Sequence, residues 1–120
     1  MPIQKILVVD DSPTERFFLS NLLTKHGYRV ELAENGNEAL EKARLVRPDL
    51  IIMDVVMPGL NGFQATRAIS RTDDLKHIPV ILCTTKDQET DKIWGLRQGA
   101  IEYVVKPVDA EALLEKIRSL

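Results

Sequence analysis

Cysteine is nearly absent from this chain of 120 residues, which contains only Cys83. A lone cysteine excludes an internal disulfide, and without a partner in a Cys-x-x-Cys motif it does not indicate a metal or redox site. We therefore expect Cys83 to be a small, buried apolar side chain in a protein of a reducing compartment. The overall balance of 44% hydrophobic and 28% charged residues is typical of an ordinary globular domain.

Basic clusters are missing as well. Lys and Arg together number 16, Asp and Glu number 18, and the formal net charge is −2. Because nucleic-acid binding needs clustered positive charge, we do not expect this chain to bind DNA or RNA.

Long apolar runs are also absent. The longest, such as residues 6–9 and 50–53, are far shorter than the roughly 20 residues that a membrane helix needs. The first apolar run follows the N-terminus too closely to leave room for a signal peptide. We expect a cytoplasmic protein that does not insert into membranes, with residues 1–120 forming one domain and no output domain.

The apolar runs that are present are short, rich in β-branched residues and regularly spaced. The predicted strands are 6–9, 30–33, 50–53, 80–83 and 103–105; the predicted helices are 13–26, 36–46, 62–71, 87–98 and 109–120. Strict alternation of buried strands with helices predicts an α/β fold, a doubly wound parallel sheet with helices on both faces. The second strand alternates polar with apolar residues, so we place it at a sheet edge.

Reactive side chains follow four of the predicted strands. Asp10 and Asp11 follow the first, Asp54 the third, Thr84 the fourth and Lys106 the fifth. The carboxyl ends of parallel strands share one edge of the sheet, where such folds bind ligands, so we expect these groups to converge. Three carboxylates in contact repel one another, and an all-oxygen ligand set favours Mg²⁺ over Zn²⁺. The pattern therefore predicts phosphoryl transfer to a carboxylate, with Lys106 and a hydroxyl of the Thr84-Thr85 pair contacting the phosphoryl oxygens.

Over its whole length the chain resembles the receiver domains of response regulators. The motifs that carry the resemblance are Val9-Asp10-Asp11-Ser12, Met53-Asp54, Met57-Pro58-Gly59, Thr84, Gly99-Ala100, Tyr103 and Lys106-Pro107. The resemblance implies a flavodoxin-like (βα)5 fold with strand order 2-1-3-4-5. It also implies a two-component signalling protein that catalyses only its own phosphorylation and dephosphorylation.

The resemblance further assigns roles to individual residues. Asp54 would accept the phosphoryl group from a histidine kinase, such as one of the CheA type. Mg²⁺ would be bound by Asp10, Asp11, Asp54 and the backbone carbonyl of Val56. Thr84 and Tyr103 would form the switch, and a cis peptide would join Lys106 to Pro107. Phosphorylation would change the surface of the fourth helix, fifth strand and fifth helix, where we place Tyr103 and Trp94.

Several alternatives stay open at this point. Longer stretches, including residues 57–67 and 84–92, resemble members of the family that control twitching motility by type IV pili. The chain would act either on a downstream effector protein or as a phosphate sink for a shared kinase, as a monomer or as a dimer formed on activation. A flavodoxin-like flavin-binding protein shares the fold, but it needs a phosphate-binding loop where this chain has Asp10 and Asp11. A phosphatase of the haloacid-dehalogenase type would carry Asp-x-Asp on its first strand.

The fourth helix contains the only tryptophan, Trp94. Helical phasing predicts that Ile93 and Leu96 face the core and that Trp94 lies at the rim, where it would serve as an aromatic anchor for a partner or pack against a neighbouring helix. We interpret His26 and His77 as cap or solvent residues.

Overall fold

A computed structural model describes residues 2–120; Met1, with which the predicted domain begins, lies outside the described residues. Strands and helices alternate along the chain. The strands are β1 (Lys5–Val9), β2 (Arg29–Ala33), β3 (Leu50–Met53), β4 (Val80–Thr84) and β5 (Glu102–Val105). The helices are α1 (Pro13–Lys25), α2 (Gly36–Val46), α3 (Gly62–Arg71), α4 (Glu89–Arg97) and α5 (Ala110–Arg118).

All five strands are parallel and lie in the order β2-β1-β3-β4-β5, which confirms the predicted fold. Each face of the sheet carries its own apolar core. One core contains Leu19 and Leu23 of α1 together with Leu113 and Ile117 of α5, and the other contains side chains of α2 and α3. Because both faces are covered, the central strands β1, β3 and β4 are almost entirely buried.

The two edges of the sheet differ from the predictions in one respect. The edge position of β2 is confirmed. The prediction that the fifth strand is buried on both faces is wrong: all four residues of β5 are only half-buried, because this strand forms the opposite edge.

Three helices are shorter than predicted, chiefly because residues counted as helical are their caps. His26 follows the last residue of α1 and is succeeded by Gly27 at φ +91°. The Asp109 side chain accepts a hydrogen bond from Ala112 N at 3.2 Å and so caps α5, which ends at Arg118. Helix α4 begins at Glu89 rather than Asp87, after its N-cap Gln88.

The packing of α4 corrects the predicted phasing. Ile93 is 45% exposed and Leu96 is 49% exposed, so the prediction that they face the core is wrong. Gly95 faces the sheet instead: a Cβ atom there would lie 2.9 Å from Leu82 Cδ1 and from Tyr103 Cδ2. The helix thus approaches the sheet through a residue without a side chain, and the apolar neighbours of Gly95 point outward.

The prediction that Cys83 is a buried side chain is confirmed. Cys83 is buried, and burial raises the pKa of its thiol to about 12, which makes it a poor nucleophile. Across the part of the chain that the structure describes, no helix is both long enough and apolar enough to cross a bilayer.

Candidate functional site

Three carboxylates meet at the carboxyl ends of β1 and β3. Asp10 is 1% exposed and Asp54 is 8% exposed, whereas Asp11 is open to solvent. One carboxylate oxygen from each residue lies within 4.8 Å of the others. The predicted convergence of these three carboxylates is therefore present.

The main chain fixes the two buried carboxylates. Asp10 Oδ1 accepts a hydrogen bond from Ser12 N at 2.9 Å, and Ser12 in turn caps α1. Asp54 N donates to Val9 O at 2.9 Å, which ties the end of β3 to the end of β1. Asp54 Oδ1 accepts from Val55 N at 2.7 Å and, more weakly, from Val56 N at 3.4 Å. These bonds orient both side chains without using a side chain from elsewhere.

Lys106 supplies a positive charge directly to this cluster. Its Nζ lies 2.7 Å from Asp10 Oδ2, 3.6 Å from Asp54 Oδ2 and 3.8 Å from Glu15 Oε2, and 8% of its side chain is exposed. Burial by itself would lower the pKa of Lys106, but the hydrogen bond to Asp10 and the charges of Asp54 and Glu15 outweigh it and raise the pKa. Lys106 is therefore fully charged at neutral pH. The Lys106–Pro107 peptide bond is cis, as the resemblance implies.

The chemistry of this donor set fits a hard divalent cation. Asp10, Asp11 and Asp54 offer only carboxylate oxygens, and exposed Asp11 leaves one side of the cluster open to solvent. Zinc sites in proteins are built mainly from His and Cys, whereas Mg²⁺ is bound through one or two carboxylates and keeps several waters. Lys106 offsets part of the repulsion among the acids, and a bound cation would offset the rest.

Thr84 and Tyr103 are connected through the main chain of Lys86. Thr84, the last residue of β4, is completely buried, and its Oγ1 accepts from Lys86 N at 3.4 Å. The Tyr103 hydroxyl donates to Lys86 O at 2.9 Å, and its half-buried ring lies against Gly95. Burial, with Asp91 nearby, raises the pKa of the Tyr103 phenol to about 12, so the hydroxyl remains a donor at neutral pH.

Trp94 lines a neighbouring cavity. The cavity has a volume of about 410 Å³ and is lined in part by Val56, Lys86, Asp91 and Trp94. Trp94 is 48% exposed and Val56 is 56% exposed. The cavity therefore begins at Val55, the residue after Asp54, and extends to α4.

Sequence reasoning missed three residues that support the site. Arg16 Nη1 donates to Asp10 O at 2.6 Å, and its Nη2 pairs with Glu34 at 3.1 Å. Glu15 contacts Lys106. Gly62 lies so close to Asp54 that a Cβ atom would be 2.1 Å from Asp54 O. Only the position of Glu15 and Arg16 in the first turn after Asp10-Asp11 gave a signal, because side chains at the start of a helix lie near the strand end that precedes it.

Comparison with known proteins agrees with this geometry. Residues 6–118 match the family described as the response regulator receiver domain. The chain belongs to the response regulator receiver family. It is 56% identical over 116 residues to the protein PilH of Pseudomonas aeruginosa, a match that covers 97% of this chain and 96% of PilH.

A second relative is less similar in sequence, and two solved structures share the fold. The chain is 42% identical to the transcriptional regulatory protein AfsQ1 of Streptomyces coelicolor, covering 96% of this chain and 50% of AfsQ1. The crystal structure of the Vibrio cholerae chemotaxis protein CheY4 superimposes with a TM-score of 0.90 at 38% identity and covers 98% of both chains. The response regulator domain of Thermotoga maritima CheB gives a TM-score of 0.87 at 35% identity, covering 98% of this chain and 95% of that one. This receiver is thus similar to PilH and CheY4 along nearly their whole length and to about half of AfsQ1.

Proposed function

We propose that this receiver accepts a phosphoryl group on Asp54 in a Mg²⁺-dependent reaction and passes the signal on by changing a protein-binding surface. The observation that carries the proposal is the contact of Lys106 with both buried acids, 2.7 Å from Asp10 and 3.6 Å from Asp54. A fixed ammonium beside a carboxylate stabilises the negative charge that a phosphoryl group brings to that carboxylate.

The transfer exchanges one bond to phosphorus for another. An oxygen of Asp54 forms the new P–O bond, the P–N bond to the kinase's phosphohistidine breaks, and the histidine nitrogen retains the bonding electron pair. Val55 N holds the Asp54 carboxylate in a fixed orientation at 2.7 Å, which reduces the entropic cost of aligning it. Lys106 and the Thr84 hydroxyl would then bind phosphoryl oxygens.

The metal in this proposal would be held by Asp10, Asp11 and Asp54, with the Val56 carbonyl as a further ligand. Mg²⁺ bound there would supply charge neutralisation between the acids and the phosphoryl oxygens. The support for this assignment is the all-oxygen donor set, whose atoms lie within 4.8 Å of one another.

Thr84 and Tyr103 would transmit the conformational change from the phosphorylation site to the surface. Both side chains are bonded to the main chain of Lys86, so movement of Thr84 toward a phosphoryl group would alter the segment on which the Tyr103 hydroxyl depends. Trp94 lies on the exposed face of the adjacent helix α4 and would form part of the surface that a partner reads. A local charge change would thereby bias a two-state element.

As a receiver domain, the chain would take its signal from a histidine kinase and act on a downstream target. We propose control of twitching motility or a related taxis pathway as its setting, supported by the 56% identity to PilH. Service as a phosphate sink for a shared kinase is the second candidate, and it requires no effector contact at Trp94.

Acetyl phosphate and Mg²⁺ test the proposal, with intact-protein mass as the readout. We expect the wild type to gain one phosphoryl group and Asp54→Asn to gain none. Asp73→Asn, which removes a carboxylate that is 94% exposed and paired with Lys76, should behave like the wild type. Uptake of FMN, or turnover of an external phosphomonoester, would contradict the proposal and favour one of the alternatives.

A further inference from the structure

Glu15 is a fourth acidic residue at the proposed phosphorylation site. It is the third residue of α1, and its main-chain N–H donates to the Ser12 hydroxyl at 3.3 Å, so its backbone is fixed just beyond Asp11. Its side chain is 37% exposed and reaches back to Lys106, with 3.8 Å between Oε2 and Nζ. Glu15 lies outside the carboxylate trio that offers metal ligands.

The three acids around Lys106 are not equivalent. Asp10 and Asp54 belong to the proposed metal site, where a cation would balance their charge. In the part of the chain that the structure describes, Lys106 is the one cationic side chain within 4.0 Å of Glu15. A phosphoryl group on Asp54 would therefore compete with Glu15 for the ammonium of Lys106, and the two negative groups would repel each other.

We propose that Glu15 is a positioning residue that holds the Lys106 ammonium and, through its charge, weakens the binding of a phosphoryl group at Asp54. Glu15 makes the phosphorylated state less favourable than Asp10, Asp11 and Lys106 alone would make it. The inference rests on the proposed phosphorylation of Asp54.

Trifluoroberyllate, which mimics a phosphoryl group on a carboxylate, is the probe for this competition. Its affinity is measured by titration at saturating Mg²⁺, with the fluorescence of the single tryptophan, Trp94, or NMR shifts as the signal. Glu15→Gln keeps the side-chain length and suits the third position of a helix. We expect it to bind trifluoroberyllate about three- to tenfold more tightly than the wild type, since the charge of Glu15 acts from the far side of Lys106 and is partly screened by solvent and salt.

Glu111→Gln is the matched control. Glu111 is also an acid in the first turn of a helix, it is paired with Arg118, and 82% of its side chain is exposed. The substitution changes the net charge equally and should alter trifluoroberyllate affinity by less than about twofold. Glu15→Asp keeps the charge and should stay close to the wild type.

The outcomes separate the two proposals. If the wild type and Asp54→Asn bind trifluoroberyllate equally, or neither binds it, the phosphorylation of Asp54 is wrong. If the wild type binds trifluoroberyllate only when Asp54 is present, but Glu15→Gln binds it no more tightly than the wild type does, the proposed role of Glu15 is wrong. The role is also wrong if Glu15→Asp has the same trifluoroberyllate affinity as Glu15→Gln. The increase in trifluoroberyllate affinity caused by Glu15→Gln should also become smaller as ionic strength rises, which a purely structural effect of the substitution would not do.

Discussion

Lys106 and Asp10 are 96 residues apart in the sequence, yet Lys106 Nζ donates a 2.7 Å hydrogen bond to Asp10 Oδ2. Only 8% and 2% of the two side chains are exposed. Strands β3 and β4 lie between the strands that these residues follow, so the lysine side chain links the two ends of the site across the sheet edge. The pair is thus both a long-range tertiary contact and the charge balance of the acidic cluster.

Replacing Lys106 with Met should destabilise the metal-free protein by about 2–4 kcal/mol, because it leaves Asp10 and Asp54 buried without a cation. Urea unfolding in the presence of a chelator measures the loss. Lys116→Met is the control: Lys116 pairs with Glu102 at 3.0 Å, but both side chains are more than one third exposed, so we expect a change below about 1 kcal/mol. Equal losses in the two variants would contradict the charge-balancing role of Lys106.

Asp11→Ala should have opposite effects on stability and metal binding. The substitution removes one of three mutually repelling carboxylates, so the metal-free protein should become more stable. It also removes a proposed ligand, so saturating Mg²⁺ should raise the melting temperature less than in the wild type. Thermal unfolding with and without Mg²⁺ tests both effects. Equal stabilisation of the variant and the wild type by Mg²⁺ would show that the metal site is wrong.

The residues that sequence reasoning placed in the site are those fixed by topology. Once alternating strands and helices predict a parallel sheet, the residue after each strand must lie at one edge, which locates Asp10, Asp54, Thr84 and Lys106. The sequence did not reveal the role of Glu15, because its contact with Lys106 depends on the side-chain conformation at the start of α1. The core-facing prediction for α4 failed because an apolar pattern does not reveal that the helix packs through Gly95.

Tyr103→Phe should destabilise the segment between β4 and α4 without changing the packing of the aromatic ring at position 103. It removes the 2.9 Å hydrogen bond to Lys86 O and leaves the contact with Gly95 in place. We expect a loss of about 1 kcal/mol in the free energy of unfolding and faster amide hydrogen exchange around Lys86. Tyr28→Phe deletes the same atom from a tyrosine on the other face of the sheet and is the control. Unchanged exchange around Lys86 would contradict the link.

Asp49 should make the stability of the protein depend on pH. Its Oδ2 accepts hydrogen bonds from Lys5 N at 2.9 Å and Gln4 N at 3.0 Å, which lower its pKa below 3.8. A lowered folded-state pKa stabilises the protein above the unfolded pKa of about 3.9, and the contribution disappears as the pH falls through the folded value.

The comparison for this prediction is Asp49→Asn. The wild type should be more stable than the variant above about pH 5, by less than about 1 kcal/mol because Asp49 is exposed, and the difference should shrink as the pH falls below the unfolded pKa. Urea unfolding at several pH values measures it. If the free energies of unfolding of the two proteins differ by the same amount at every pH, the prediction is wrong.

Gly62→Ala should damage both the fold and the site. A Cβ atom at Gly62 would lie 2.1 Å from Asp54 O and 2.7 Å from Val55 Cα, and backbone atoms cannot move aside as a flexible side chain can. We expect a loss of about 3 kcal/mol, larger than the roughly 1 kcal/mol that alanine gains over glycine in a helix.

Gly27→Ala provides the matched comparison, because Gly27 has φ +91° but no atom within 4 Å of the added Cβ. This variant should cost only the strain of a left-handed backbone, about 1–2 kcal/mol, and should leave Mg²⁺ binding unchanged. Gly62→Ala should also weaken Mg²⁺ binding, since relief of its clash must displace the peptide that carries Asp54. If Gly62→Ala binds Mg²⁺ as tightly as Gly27→Ala does, the main chain of Asp54 is not held in place by its contact with α3.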